Sequence, residues 1–344
     1  MTDATEDANH KTNMDLLDEK MGDPTSYPIP YDPTWDVIDS SKMKDLTACF
    51  RMFFYRHLLG WQSDVLRNDL KFGEAWHIAM EHLLLNGYDS ASVAVAFDKF
   101  LECYREEFPA QTDELFGAKT PDRAMLALAE YSDKYHDDLS LYKVLYTEIS
   151  GSVPVSPARM IHFRIDAVLE DLQRRFRSQE HKTKGGSINK QWFDQWPMST
   201  QIGTYCHVLN CLYPEADVDG VWVNGAGFLK TKFDFQRLPV KKTREQMQVW
   251  LDTTNYWLDR LDRELTCLQT CDANDVTLLA FPCNENGCSR YFGCPYLDFC
   301  VSWPNPLREC DEIPAGFKQE FWDPREHKST IKMELGNEKE RRNT

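Results

Sequence analysis

Residues 160–183 read MIHFRIDAVLEDLQRRFRSQEHKT. Met160 to Leu169 runs apolar as a buried strand does, and Gln173 to Lys182 forms a second, more polar candidate strand. If the two are neighbours in a sheet, Asp166 and Glu180 converge at one edge. Glu180 and Lys182 are two apart and share a face. A pair of carboxylates suits a hard cation such as Mg²⁺ or Mn²⁺, which takes oxygen ligands. The cation lowers the pKa of a bound water and polarises a phosphoryl group. A lysine alongside orients the attacking water and stabilises the growing charge. The alternative for an isolated Asp…Glu-x-Lys set is a surface ion pair on a hairpin.

Outward from this stretch the chain reads as α/β. Leu141 to Ile149 is a preceding strand, separated from the next by a turn-like Ser150-Gly151-Ser152 and Val153-Pro154. Thr200 to Leu212 has helical spacing, Val221 to Lys232 reads as strand, and Lys242 to Leu268 is a long amphipathic helix. Upstream the chain is helical. Ser40 to Trp61 is amphipathic with Ser40 or Ser41 as cap, Gly73 to Leu85 and Ser90 to Phe108 follow, and Thr120-Pro121 opens another helix. The predicted architecture is a central mixed sheet flanked by helices, with a helical N-terminal portion and a Cys-rich C-terminal segment. The expected divisions are a disordered acidic leader over 1–30, the helical portion over 31–140, the catalytic core over 141–270, a cluster-binding segment over 271–310 and a tail over 311–344.

The 344 residues carry 39 Lys and Arg against 55 Asp and Glu, a net charge of −16. A protein that coats nucleic acid by bulk charge is basic, so any such contact here is local. With 42% hydrophobic and 27% charged residues, most of the chain can bury a core. No run approaches the roughly 18 apolar residues of a membrane span. The acidic start lacks the order of a signal peptide. The expected location is cytoplasmic, in a prokaryotic or phage-infected cell.

Six of the eleven cysteines (Cys267, Cys271, Cys283, Cys288, Cys294 and Cys300) lie within 34 positions. In a reducing compartment such clustering points to a metal or an iron–sulfur centre rather than disulfides. Four thiolates hold either Zn²⁺ or an Fe–S cluster. Zinc sites favour two tight Cys pairs, which this segment lacks. The alternative is ordinary buried cysteines, and Cys267 and Cys271 are read as such.

Two further elements align with the acidic pair. His77 lies upstream on a predicted helix, where it can add a nitrogen ligand. Gln201 and Tyr205 are four apart on another helix and share a face. Taken singly, the first is a buried core histidine and the second a polar helix edge. In order, Gly73…His77, Arg164-Ile165-Asp166, Glu180-His181-Lys182 and Gln201…Tyr205 resemble the PD-(D/E)XK nuclease superfamily. The likeness is to its RecB-like branch, which includes the nuclease domains of RecB and AddB, CRISPR-associated RecB-like nucleases and phage exonucleases. Cys49-Phe50-Arg51-x-Phe53 is similar to the branch's N-terminal Cys-Pro-Arg-x-Phe segment, and the resemblance covers about residues 40 to 302. Phe163 stands where a glycine is common and Phe50 where a proline is usual. Neither departure removes a reacting group.

The resemblance implies a restriction-endonuclease-like core and a Mg²⁺- or Mn²⁺-dependent exodeoxyribonuclease acting in DNA processing, recombination or repair. His77, Asp166 and Glu180 would hold the cation, Lys182 would act on the water, and Gln201 and Tyr205 would support the site. It further implies a [4Fe–4S] cluster on Cys49, Cys288, Cys294 and Cys300, with Zn²⁺ as the alternative and Cys283 as the substitute ligand. The implied partner is DNA, single-stranded or with free ends, together with a helicase or recombination partner. The other readings are a non-catalytic scaffold that keeps the fold, and RNA as substrate. Lys184, Lys230, Lys232, Arg237, Lys241 and Lys242 are the candidate phosphate contacts, which position without reading sequence. The alternative for them is a solvated face.

Overall fold

The computed structural model describes residues 26–214, 216–289, 293–326 and 331–334. The acidic leader up to residue 25 and the tail beyond residue 334 lie outside them. Helix α1 (Ser40–Ala48) is capped by Asp39, whose carboxylate accepts from the Lys42 amide, rather than by Ser40 or Ser41. The single helix expected over Ser40–Trp61 is broken. Cys49 is extended (φ −165°, ψ 121°), α2 (Phe50–Phe53) restarts after it, and a π-helical turn spans Phe54–Leu58. Breaks of this kind often mark functional positions, and this one turns Cys49 toward the C-terminal segment. A short β1 (Trp61–Ser63), which the apolar pattern did not suggest, pairs with a strand near the C-terminus.

Three long helices follow: α3 (Asn68–Asn86), α4 (Ser90–Arg105) and α5 (Pro121–Lys134), the last with proline in its first turn. A single turn, α6 (Asp138–Leu141), leads into the antiparallel run β2 (Tyr142–Ser156), β3 (Arg159–Asp171) and β4 (Phe176–Gly185). The turn expected at Ser150–Pro154 is therefore strand, and the hairpin turns after Ser156. Gly151 tolerates no side chain there, because a Cβ would lie 1.8 Å from the Met333 carbonyl oxygen on the neighbouring strand.

After α7 (Lys190–Asp194) and α8 (Thr200–Leu212) come β5 (Val218–Phe228), β6 (Phe233–Val240) and α9 (Arg244–Leu268). The chain ends in α10 (Leu297–Ser302), β7 (Phe317–Gln319) and β8 (Ile331–Glu334). The six-stranded sheet has the order β6-β5-β4-β3-β2-β8. β4 and β5 run parallel, as do β2 and β8, and the other neighbours are antiparallel. The sheet is thus mixed, as expected.

Both faces of the sheet are covered. On one, Phe72, Trp76, Phe100 and Tyr131 of the three N-terminal helices pack with Phe228 and Phe235. On the other, Ile202, Tyr205, Leu209 and Trp250 from α8 and α9 pack on Ile165, Val221 and Val223. Each such fully buried large apolar side chain contributes roughly 1.5–3 kcal/mol. Because β4 and β5 are sandwiched between these layers, the polar residues of β4 are forced inward.

Candidate active site and thiol centre

The sheet opens where the acidic residues sit. β3 and β4 are in register from Glu170 opposite Phe176 to Ala167 opposite Gln179, and no further. The next cross-strand positions are Asp166 and Glu180. There the His181 amide donates to Asp166 Oδ2 at 2.7 Å instead of to a backbone carbonyl. β4 leaves β3 but stays paired to β5 throughout its length.

Helix α8 holds the two strands where they part. Gln201 Nε2 donates to Glu180 Oε1 at 3.1 Å and to the Tyr205 hydroxyl oxygen at 2.8 Å. The Tyr205 hydroxyl donates in turn to the Arg164 carbonyl on β3. Lys182 Nζ forms an ion pair with Glu180 Oε1. From the opposite layer, α3 delivers His77, whose Nδ1 lies 3.0 Å from Asp166 Oδ2.

The structure therefore brings together His77, Asp166, Glu180, Lys182, Gln201 and Tyr205, and adds a residue that the sequence pattern did not single out. Glu148 on β2 lies between Thr147, opposite Ala167, and Ile149, opposite Ile165, so it faces Asp166. His77, Glu148 and Asp166 each offer a ligand atom, and these atoms all lie within 4.8 Å of one another. Arg164 Nε is 3.7 Å from Glu148 Oε2. Glu148 has a left-handed backbone (φ 45°) within its strand, an unfavourable conformation for a residue with a side chain. The signal for Glu148 is hairpin register, which becomes readable only once the turn is placed after Ser156.

Burial and crowding set the charges. Burial drives the Asp166 carboxyl upward, but His77, His181 and Lys182 outweigh it and hold the group well below the usual range. Glu180 is raised by burial and by Asp166. Glu148 is pushed to about 8 by burial and Asp166 against the pull of Arg164. Burial would lower His77 and Lys182, yet the adjacent carboxylates raise both.

The donor set suits a hard divalent cation: oxygens and one imidazole. Glu180 is 1% exposed, and its Oε2 has no hydrogen-bond partner. His77 Nδ1, although close to Asp166, is not aligned for a hydrogen bond.

The candidate phosphate contacts do not form one patch. Lys230 and Lys232 lie in the β5–β6 turn, while Lys241 and Lys242 follow β6 at its other end. Arg237 between them is turned inward, which corrects its assignment. It makes two hydrogen bonds to Asp138, at 2.9 and 2.6 Å, and one to Asn224 at 2.7 Å, and stacks on Tyr135 and Trp222. Its donors are committed to the fold, since an unpaired buried guanidinium would be costly. Lys242 donates to the Pro197 carbonyl, Lys241 lies 3.6 Å from Asp217 and Asp219, and Lys184 donates to the Ser187 carbonyl. A separate cleft of about 1,040 Å³ is lined by Lys44, Arg67, Lys119, Gly185, Cys294 and Tyr296 and by none of the acidic-site residues.

The cysteines of the C-terminal segment gather at the α1–α2 break. Arg51 Nε donates to the Phe281 carbonyl at 2.8 Å and the Asn284 amide donates to Cys49 Sγ at 3.3 Å. The Cys294 amide donates to the Cys288 carbonyl at 2.9 Å. The turn leading to Cys288 packs on Cys49: a Cβ on Gly287 would lie 3.0 Å from the Cys49 Cβ. Cys283 and Cys300 share a hydrogen bond that lowers the Cys283 thiol. The segment that leads to Cys288 thus lies against Cys49, and Cys294 is tied to Cys288, whereas Cys271 is buried in the core and Cys267 lies half-buried beside it.

The family model of the PD-(D/E)XK nuclease superfamily matches residues 40–301, most of the chain, and the protein belongs to that superfamily. The six-stranded mixed sheet with its flanking helices is consistent with the restriction-endonuclease-like fold. No curated protein matches the chain significantly. Among the described residues no helix is long and apolar enough to cross a membrane.

Proposed function

We propose that this member of the PD-(D/E)XK nuclease superfamily is a Mg²⁺- or Mn²⁺-dependent exodeoxyribonuclease of the RecB-like kind, working in DNA processing, recombination or repair. The observation that carries this reading is the convergence of Asp166, Glu180 and Lys182 where β3 and β4 part, with the buried Glu180 Oε2 left without a hydrogen-bond partner.

His77, Asp166 and Glu180 are the residues that would hold the cation. When bound, it supplies Lewis acidity toward the phosphoryl oxygen and acidifies an attacking water. Lys182, kept protonated by the carboxylates around it, orients the water and stabilises negative charge on the phosphoryl group. The water oxygen forms a bond to phosphorus, the P–O bond to the leaving strand breaks, and the leaving oxygen takes up a proton. Gln201 and Tyr205 fix Glu180 and the β3 backbone so that the carboxylates keep their separation.

A substrate strand is read as lying in the cleft lined by residues of α3, Lys119, Gly185 and the cysteine segment. Cys49, Cys288, Cys294 and Cys300 are read as ligands of a [4Fe–4S] cluster that ties α1 and α2 to that wall, with Zn²⁺ as the alternative and Cys283 as the reserve ligand.

The test uses end-labelled linear and closed circular single strands of DNA and RNA, and duplex DNA, with Mg²⁺. Release of mononucleotides or short fragments from linear DNA, with circles left intact, is the expected result. Cleavage of circles makes it an endonuclease, and preference for RNA changes the substrate. Inertness toward all of them favours a binding or scaffold role.

A further inference from the structure

Helix α9 lines an apolar groove on the side away from the acidic centre. Val249, Trp250, Thr253 and Trp257 follow one another on successive turns and form one wall of a groove of about 310 Å³, with Met43 of α1 and Met198 on the other. Val249 is 55% exposed and Met198 81%. Large apolar side chains gathered along one groove and left to water mark an interaction surface. The groove also has a charged end, where Lys241 and Lys242 stand against Glu245. Lys242 makes its hydrogen bond to the neutral Pro197 carbonyl, which does not offset its charge, and the start of α9 adds positive partial charge. Such a groove fits an apolar helix face flanked by acidic residues.

The chain carries such a segment. Residues 14–21 read MDLLDEKM. Met14, Leu17 and Met21 are spaced to share one helical face, and Asp15, Asp18 and Glu19 flank it. Gly22 and Pro24 end the pattern. This segment lies outside the described residues, but the chain enters them beside α9. Tyr27 packs edge-on against Trp35, with 5.3 Å between ring centres, and shares a hydrogen bond with Gln269, the C-cap of α9. At 1.5 Å per residue, Gln269 lies about 18 Å beyond Trp257 along the helix. Residues 22–26 reach up to about 17 Å when extended, which brings Met21 to Trp257. A helix from Met21 back to Met14 spans about 11 Å, and α9 from Trp257 back to Val249 spans about 12 Å. The segment then runs parallel to α9, with Asp15 at the end where Lys241 and Lys242 stand.

We propose that residues 14–21 dock as a helix in this groove, with Met14, Leu17 and Met21 on the α9 stripe and the acidic flank toward Lys241 and Lys242. The groove wall includes Thr200, next to Gln201, whose amide holds Glu180. The docked segment therefore braces the start of α8.

The test uses the full-length protein with the photo-crosslinking residue benzoylphenylalanine in place of Leu17. Irradiation and peptide mapping should join position 17 to residues between 246 and 257 of the same chain, in a yield independent of protein concentration. In the protein without the crosslinker, Leu17→Asp and Val249→Glu should each speed tryptic cleavage after Lys20 at least about tenfold. Val249 is exposed, so its variant should fold, which circular dichroism checks; if it does not, Leu17→Asp and the crosslink decide. Crosslinks between chains that grow with concentration would assign the groove to a second copy and overturn the proposal. Crosslinks to other surfaces, no crosslink, or cleavage after Lys20 at the parent's rate in folded variants would overturn it as well. None of these readouts depends on the nuclease reading.

Discussion

The backbone amide of His181 donates to the Asp166 carboxylate at 2.7 Å, at the point where β3 and β4 stop pairing. One hydrogen bond thus does two things. It satisfies a buried donor that has lost its ladder partner, and it fixes the carboxylate at the mouth of the gap. The site is a consequence of the sheet opening rather than an addition to it.

Glu148 should trade stability for function. A non-glycine residue in the left-handed region costs about 1–2 kcal/mol, and Glu148 also faces Asp166. Glu148→Gly is expected to raise the cation-free unfolding free energy by about 1 kcal/mol, measured by urea denaturation, while weakening Mn²⁺ binding. A variant that is less stable and binds Mn²⁺ normally would contradict this account.

The pH dependence of cation binding has a determined sign. Glu148 is raised to about 8 and His77 is raised as well. Both groups must lose their protons to act as ligands, so protons compete with the ion as the pH falls. Affinity for Mg²⁺ should therefore rise from pH 6.5 to 8.5, by up to about tenfold per unit for each proton displaced. Calorimetry in two buffers of different ionisation enthalpy should detect protons released on binding. A pH-independent affinity with no proton release would contradict the assignment.

The packing of α8 on α9 leaves no room at Gly203. Alanine there gains about 1 kcal/mol of helix propensity, but its Cβ would lie 2.1 Å from Cδ1 of Trp250. Overpacking of this kind costs about 1–3 kcal/mol. The clash should win, so Gly203→Ala lowers the thermal midpoint. Because α8 also carries Gln201 and Tyr205, the variant should lose activity too. A raised midpoint would show that Trp250 gives way.

The thiol centre is testable by composition. Protein purified without oxygen should be brown and contain iron and labile sulfide. Cys49→Ser should lose both and unfold at lower temperature, because the proposed cluster would link Cys49 to Cys288 and close a loop of about 240 residues. Cys211→Ser, in α8, should change neither. A colourless protein with one zinc would reject the cluster.

Much of the site was legible because its members lie close in sequence on regular elements. Glu180 and Lys182 share a face by the two-residue period of a strand, and Gln201 and Tyr205 by one helical turn. The resemblance of the ordered set supplied His77 and Cys49, which no local period connects to the rest. What stayed hidden depends on register and tertiary packing. Glu148 needed the true hairpin turn, which the glycine and proline at Gly151 and Pro154 disguised, because β2 runs through both. Arg237 reads as a phosphate contact until β6 is seen to point it at Asp138. The break at Cys49 is invisible to a helical pattern that continues on both sides of it.

The central claim is that Asp166, Glu180 and Lys182 act as one cation-dependent hydrolytic centre. Its most direct test is the rate of Mg²⁺-dependent cleavage of single-stranded DNA by the unmodified protein, Asp166→Asn and Lys182→Ala, with circular dichroism to show that each is folded. The account expects chelator-sensitive cleavage in the unmodified protein and a loss of at least about a hundredfold in either variant. Folded variants that cleave as fast as the parent would contradict it.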